Sequence, residues 1–97
     1  MRAILPGDLH AAARALMARP PAEWRPLADR LIAEAHMAHR IVKRLGRMHP
    51  GLGDGSLMSR AMLCPLRHEA HPSDRLFLAA LTLTLGRLLR WYDRMDG

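Results

Sequence analysis

The sequence predicts an all-α fold, a small helical domain with two long antiparallel helices, a short N-terminal helix and a short helix in the connection. Three observations lead there. Apolar residues make up 49% of the chain while aromatics make up only 4%, so the core has to be assembled mainly from Leu, Ala and Met, which favour helices. Residues that favour strands are scarce, with three Ile, one Val, two Thr, one Phe and one Tyr. Two stretches, residues 24–45 and 74–95, repeat apolar residues at helical spacing. The 97 residues make one domain, small enough that self-association would add substantially to its buried surface.

The first helix is expected to follow Pro6-Gly7, with Asp8 as N-cap, and to end near Ala18 before Pro20-Pro21. Leu9, Ala12, Ala13, Leu16 and Met17 would form its inner face. The second helix is expected to start at Ala22 or Glu23 and reach Leu45, with Pro26 tolerated in its first turn and Gly46 as the stop. Along it Trp24, Leu31, Ala38 and Leu45 recur at heptad spacing, a stripe about 33 Å long at ~1.5 Å per residue that Glu34 interrupts.

A glycine-rich segment runs from His49 to Ser56, and a helical turn follows through Leu57, Met58, Ala61 and Met62, capped by Asp54 or Ser56. Cys64 to Pro72 reads as a proline-bounded loop that places Arg67, His68, Glu69 and His71 at the surface or against a partner. The last helix is expected to be capped by Ser73 and to run from Asp74 to about Met95. Phe77 or Leu78, then Leu81, Leu85, Leu88, Tyr92 and Met95 follow four-three spacing, and the first half is apolar nearly all round. Such a helix is either central in the bundle or covered by another subunit, which makes Phe77, Leu81, Leu85, Leu88 and Tyr92 the expected oligomer interface.

Fifteen basic residues against nine acidic ones give a net charge of +6, and all but Lys43 of the basic residues are Arg. A GC-rich genome explains an Arg bias without function, whereas bidentate contact with phosphate or carboxylate is the functional reading. The uneven placement of charge is harder to set aside. Residues 36–68 hold Arg40, Lys43, Arg44, Arg47, Arg60 and Arg67 against Asp54 alone among acids. Cys64 is the single cysteine, so no internal disulfide can form and a reducing compartment, the cytoplasm, is expected. The most apolar segment, Leu76 to Leu85, is too short to span a bilayer, so no membrane partner is implied.

Catalytic and cofactor chemistry find little support. His36 and His39 share a helix and Cys64, His68 and His71 are closely spaced, but a zinc site generally needs four placed ligands or three with a clear catalytic arrangement. His36 and His39 read instead as flanking a basic helix face, and His68 and His71 as part of a solvated loop. Cys64 would have His68 one turn away only in a helix, which Pro65 opposes. Gly51 to Gly55 follows no strand and lacks the Gly-Lys-Ser/Thr ending of a nucleotide loop. A phosphate could still meet the backbone N–H groups of Gly55, Ser56 and Leu57 at a helix start near Arg60. The expectation is a non-enzymatic protein with no cofactor.

The basic ridge of the second helix is the main functional candidate. His36, Arg40, Lys43, Arg44 and Arg47 fall on one face with no acid among them. A charged face is common on solvated helices, yet one of a single sign repels itself until something negative binds, and phosphate backbones are the usual partner. The expected nucleic-acid contacts are His36, Arg40, Lys43, Arg44, Arg47 and Arg60. Because Trp24, Phe77, Trp91 and Tyr92 lie on or near apolar stripes, base stacking is not expected and sequence preference should be weak.

The start Met1 to Asp8, the runs Ala33-Glu34-Ala35-His36 and Arg44-Leu45-Gly46-Arg47, and His49-Pro50 with Gly53 and Gly55-Ser56-Leu57-Met58 resemble a family of small alphaproteobacterial proteins of gene transfer agent clusters, encoded beside the large terminase. The resemblance implies a small-terminase-like role, an oligomeric, non-enzymatic subunit that binds DNA and engages the large terminase. The two long helices would serve as its oligomerisation hairpin. The chain departs from the usual pattern in lacking a helix-turn-helix and a strand-rich C-terminal portion, and no functional residue carries over. A DNA-packaging accessory that is a homo-oligomer is thus one expectation. An adaptor or regulator that meets a protein partner through the last helix and the proline-bounded loop is the other.

Overall fold

The computed structural model describes residues 1–67 and 71–96. Four α-helices, α1 (Pro6–Met17), α2 (Trp24–Leu45), α3 (Leu57–Ala61) and α4 (Arg75–Asp96), occur among them with one 3-10 turn, Pro21–Glu23, and no β-strand. The predicted all-α class, the short first helix and the short connecting helix are all present.

α1 starts three residues earlier than expected, with Leu5 rather than Asp8 at the N-cap. Pro6 occupies its first position, where a missing N–H costs nothing, and Asp8 lies inside the first turn rather than at the cap. Its carboxylate accepts the N–H of Leu5 at 2.7 Å and, across the fold, that of Met58 at 2.8 Å. Asp8 thus ties the start of α1 to the start of α3. Ala11, Ala12, Ala13, Ala15, Leu16 and Met17 are all buried, so α1 is covered nearly all round and forms the centre of the bundle. Alanine makes this possible, since small side chains let neighbouring helices approach on several sides.

Trp24 opens α2 and donates its indole N–H to the Arg19 carbonyl at 3.0 Å, which closes the α1–α2 turn. Gly46 ends the helix with φ +70° and returns its N–H to Val42 at 2.8 Å, as its position just past the last helical residue predicts. Trp24, Leu31 and Ala38 of the heptad stripe are buried, but Leu45 is 62% exposed and no residue after Ala38 is buried in α2. The last turns of the helix therefore project past the core.

The connection folds back on α2 at Gly55. A Cβ there would lie 2.8 Å from the His39 Cα, and φ is +103°, so only glycine fits this close approach. Ser56 caps α3 by accepting the Ser59 N–H at 3.1 Å. At the last helix the cap is Asp74 rather than Ser73, with the Leu76 N–H on its carboxylate at 2.9 Å.

The long helices do not run antiparallel. Trp24 and Ala28 early in α2 share a buried cluster with Phe77 and Ala80 early in α4. Further along, Leu31, Ile32 and Ala35 share the next cluster with Leu88 and Trp91. The Asp29–Arg87 ion pair and the His36–Trp91 ring contact ascend in the same order. α4 thus runs in the same general sense as α2, and α1, whose end packs at the start of both, is the antiparallel neighbour. The segment after α2 carries the chain back along the bundle before α4 begins, which the heptad pattern alone does not reveal.

The inner face of α4 is rotated from the expected stripe. Phe77, Ala80, Thr84, Leu88 and Trp91 are buried, and Thr84 satisfies its hydroxyl on the Ala80 carbonyl at 2.9 Å. Two of the expected interface residues, Phe77 and Leu88, are therefore core residues of this chain, 6% and 5% exposed. Leu81 is half-buried against the same core. Leu85 and Tyr92 remain exposed, joined by Leu78 and Leu89, so the uncovered face is a neighbouring one. A helix apolar nearly all round gives no phase, and the Arg87–Asp29 pair and Trp91 set it here.

Candidate nucleic-acid interface

Arg40, Lys43, Arg44 and Arg47 are exposed on the projecting end of α2 and its C-terminal extension. Among the described residues none of the four forms a salt bridge, whereas Arg2, Arg19, Arg30, Arg60 and Arg87 each have a carboxylate partner. The absence of acid on this face follows from the sequence, and the overhang follows from where the core stops. Together they leave four uncompensated cations on about two turns of helix.

Beside the cations lies an apolar strip that the charge pattern conceals. A groove of about 540 Å³ is lined by Ala33, Met37 and Ile41 together with His36, Arg40 and Arg44. It continues through Ile41 to a second depression formed by Leu45, Met48 and Pro50. Met37, Leu45 and Met48 are 54%, 62% and 57% exposed. The signal was present at i, i+4, i+8 spacing from Met37, but Leu45 also belongs to the adjoining heptad stripe, which assigned this edge of the helix to the core.

His36 belongs to the seam between α2 and α4 rather than to the free ridge. Its ring stands edge-on to Trp91 with centroids 5.2 Å apart, and its Nδ1 accepts the α-amine of Met1 at 2.8 Å. Burial, then the α-amine, Arg40 and His39, hold the imidazole below its ordinary value of 6.5. His39 is lowered too, by burial first and then by the α-amine, Lys43 and Arg2. Its Nδ1 is buried without a hydrogen-bond partner among the described residues. Both rings are neutral at pH 7, so the permanent charge of the face comes from Arg40, Lys43, Arg44 and Arg47.

Arg60 is not part of this surface, a correction to the sequence expectation. It is 7% exposed and donates to the Glu34 carboxylate at 3.2 and 3.4 Å and to Cys64 Sγ at 3.4 Å. Burial pushes the Glu34 carboxyl up, but hydrogen bonds and charge from Arg30 and Arg60 outweigh it and leave it below 4.5. The residue that interrupts the α2 stripe is thus explained by a partner 26 residues away, for which no local signal exists.

The phosphate site expected at the start of α3 is also corrected. The Ser56 N–H is taken by Asp54, the Met58 N–H by Asp8 and the Ser59 N–H by the Ser56 hydroxyl. Carboxylates of the chain itself fill the place an anion would need, and Ser56 and Ser59 hold Asp54 below its usual range. Among the described residues no group of three His, Cys, Asp or Glu side chains could hold a metal. His68 and Glu69 of the expected loop lie outside the described residues, and His71 Nδ1 accepts the Ser73 N–H at 3.1 Å. No described helix is long and apolar enough to cross a membrane.

A family model described as a domain of unknown function, DUF7742, matches residues 2–88. The chain belongs to this family. The DUF7742 match takes in α1, α2, α3 and α4 as far as Leu88, so the basic ridge lies inside the family's domain while Trp91, Tyr92 and Arg94 lie beyond it. No curated protein and no solved structure matches the chain.

Proposed function

We propose that the protein is a non-enzymatic, oligomeric DNA-binding accessory subunit whose α2 ridge grips phosphates. The observation that carries this reading is the set of four exposed cations, Arg40, Lys43, Arg44 and Arg47, without a carboxylate partner among the described residues. Guanidinium groups on a projecting helix end suit backbone contact, and no Trp, Tyr or Phe is among the residues that line the groove. The resemblance of the sequence to small-terminase-like proteins of gene transfer agents supports DNA packaging, beside the large terminase, as the setting.

Fluorescence anisotropy on a labelled duplex at several salt concentrations tests the reading. Four phosphate contacts per subunit give a slope of about −3.6 in log affinity against log salt, a loss of roughly 150-fold from about 50 to about 200 mM. Arg40→Ala/Arg44→Ala/Arg47→Ala leaves one contact, a slope of about −0.9 and a loss of roughly 3.5-fold over the same range. Scrambling the duplex sequence is expected to change little. A variant that keeps the parent affinity and slope refutes the proposal.

A second reading rests on the apolar strip of Met37, Ile41, Leu45 and Met48 beside the ridge. An acidic amphipathic helix of a partner protein would match both surfaces at once. Met37→Ala/Leu45→Ala then abolishes partner capture, whereas phosphate binding tolerates it.

A further inference from the structure

We infer that the outer face of α4 pairs with a second copy of itself, antiparallel, about a two-fold axis near residues 84 and 85. Leu78, Leu85, Leu89 and Tyr92 are 46%, 42%, 67% and 38% exposed and fall, with Thr82, on one side of the helix at four-three spacing. That is the spacing of a helix–helix seam, and nothing among the described residues covers it.

The charges at the two ends of the face identify the occupant. Arg75 in the first turn and Asp93 in the last are both exposed, and neither has an ion-pair partner among the described residues. They stand 18 residues apart, five full turns, so they lie on the same flank of the helix but about 27 Å from each other. Within one chain they cannot meet. A parallel second copy would carry this flank to the opposite side of the seam, where Arg75 and Asp93 of the two chains stay apart. An antiparallel copy centred near residue 84 sets each Arg75 beside the Asp93 of the other chain, twice by symmetry.

The same register fits the apolar residues. Leu78 comes opposite Leu89 or Tyr92 of the second copy, and Leu85 sits at the axis. Leu81, half-buried on its own core, borders the seam on one side, and Gly86, where an added Cβ would meet nothing within 4 Å, borders it on the other. Because α2 runs in the sense of α4, the pairing places the two basic ridges at opposite ends of the dimer, each free to meet a phosphate backbone. The pairing does not depend on that use of the ridge and is tested without nucleic acid.

Sedimentation equilibrium of the full chain over a concentration series measures the pairing. Leu89→Glu, at the most exposed of the leucines, is expected to weaken the dimer at least about tenfold by burying an unpaired charge, with the circular dichroism spectrum unchanged and the melting temperature unchanged at concentrations where both proteins are monomeric. Arg75→Asp and Asp93→Arg each place like charges together and are expected to weaken it about fivefold. The double variant Arg75→Asp/Asp93→Arg is expected to return to within about twofold of the parent. A chain that stays monomeric throughout, or single reversals that the double variant does not repair, overturns the inference.

Discussion

Replacing Arg60 by Met separates the buried role of this residue from the surface role its charge suggests. The side chain of Arg60 is 8% exposed and that of Glu34 is 21% exposed, so Arg60→Met leaves a largely buried carboxylate with only the exposed Arg30 as partner. Removing one member of a fully buried pair costs about 3–5 kcal/mol, and the remaining access of Glu34 to water brings this to roughly 2–3 kcal/mol. At about 4–8 °C per kcal/mol for a domain of this size, the melting temperature falls by roughly 10–20 °C. Arg60→Met/Glu34→Leu removes both charges and recovers most of the loss. Thermal unfolding followed by circular dichroism reads all three proteins. The salt slope of DNA binding, measured well below the variant's transition, should be unchanged. An Arg60→Met protein that melts within about 2 °C of the parent and binds DNA more weakly would refute the assignment of Arg60 to the core.

The Glu34 carboxyl sits below its ordinary value in the fold, so its contribution is complete above pH 4.5 and is lost as pH falls through the lowered value. The stability gap between the parent and Arg60→Met should therefore narrow in acid. His36 is lowered as well, but as a base the sign reverses: above 6.5 it is neutral folded and unfolded, and below 6.5 the unfolded chain takes the proton first. Stability is expected to fall as pH drops below 6.5 and to level off below the folded value, and His36→Gln should flatten part of that slope in melts at pH 7.5 and pH 5.5. Gly55→Ala combines a φ of +103° with a Cβ 2.8 Å from the His39 Cα, and should cost about 1–3 kcal/mol in urea unfolding. A Gly55→Ala protein as stable as the parent would show that the loop lies away from α2.

Much of the fold was legible because local chemistry sets it. Gly46 stops α2, Ser56 caps α3, and Pro20-Pro21 ends α1, each through bonds made within a few residues. Where two capping candidates adjoined, at Ser73 and Asp74, the sequence left a one-residue error. The ridge at Arg40, Lys43, Arg44 and Arg47 was legible for the same reason, since helical spacing fixes a common face. Arg60 was misread because its neighbours in sequence are ordinary for a surface residue and Glu34 reaches it only through the tertiary fold. His36 was half-read, placed on the correct helix but at the edge of the ridge that α4 covers.

By itself the sequence determined that the chain is helical, where α2 stops and α3 is capped, and that positive charge gathers on the last turns of α2. Backbone hydrogen bonding and capping are local, so a single strand of text contains them. The tertiary structure alone decided that α2 and α4 run in the same sense, that Trp91 rather than Tyr92 enters the core, and which arginines are spent on carboxylates. Those outcomes depend on contacts between residues 26, 55 and 58 positions apart, such as Glu34 with Arg60, His36 with Trp91 and Asp29 with Arg87. Periodicity cannot choose among such contacts when a helix is apolar on nearly every side, and packing against α1 makes the choice.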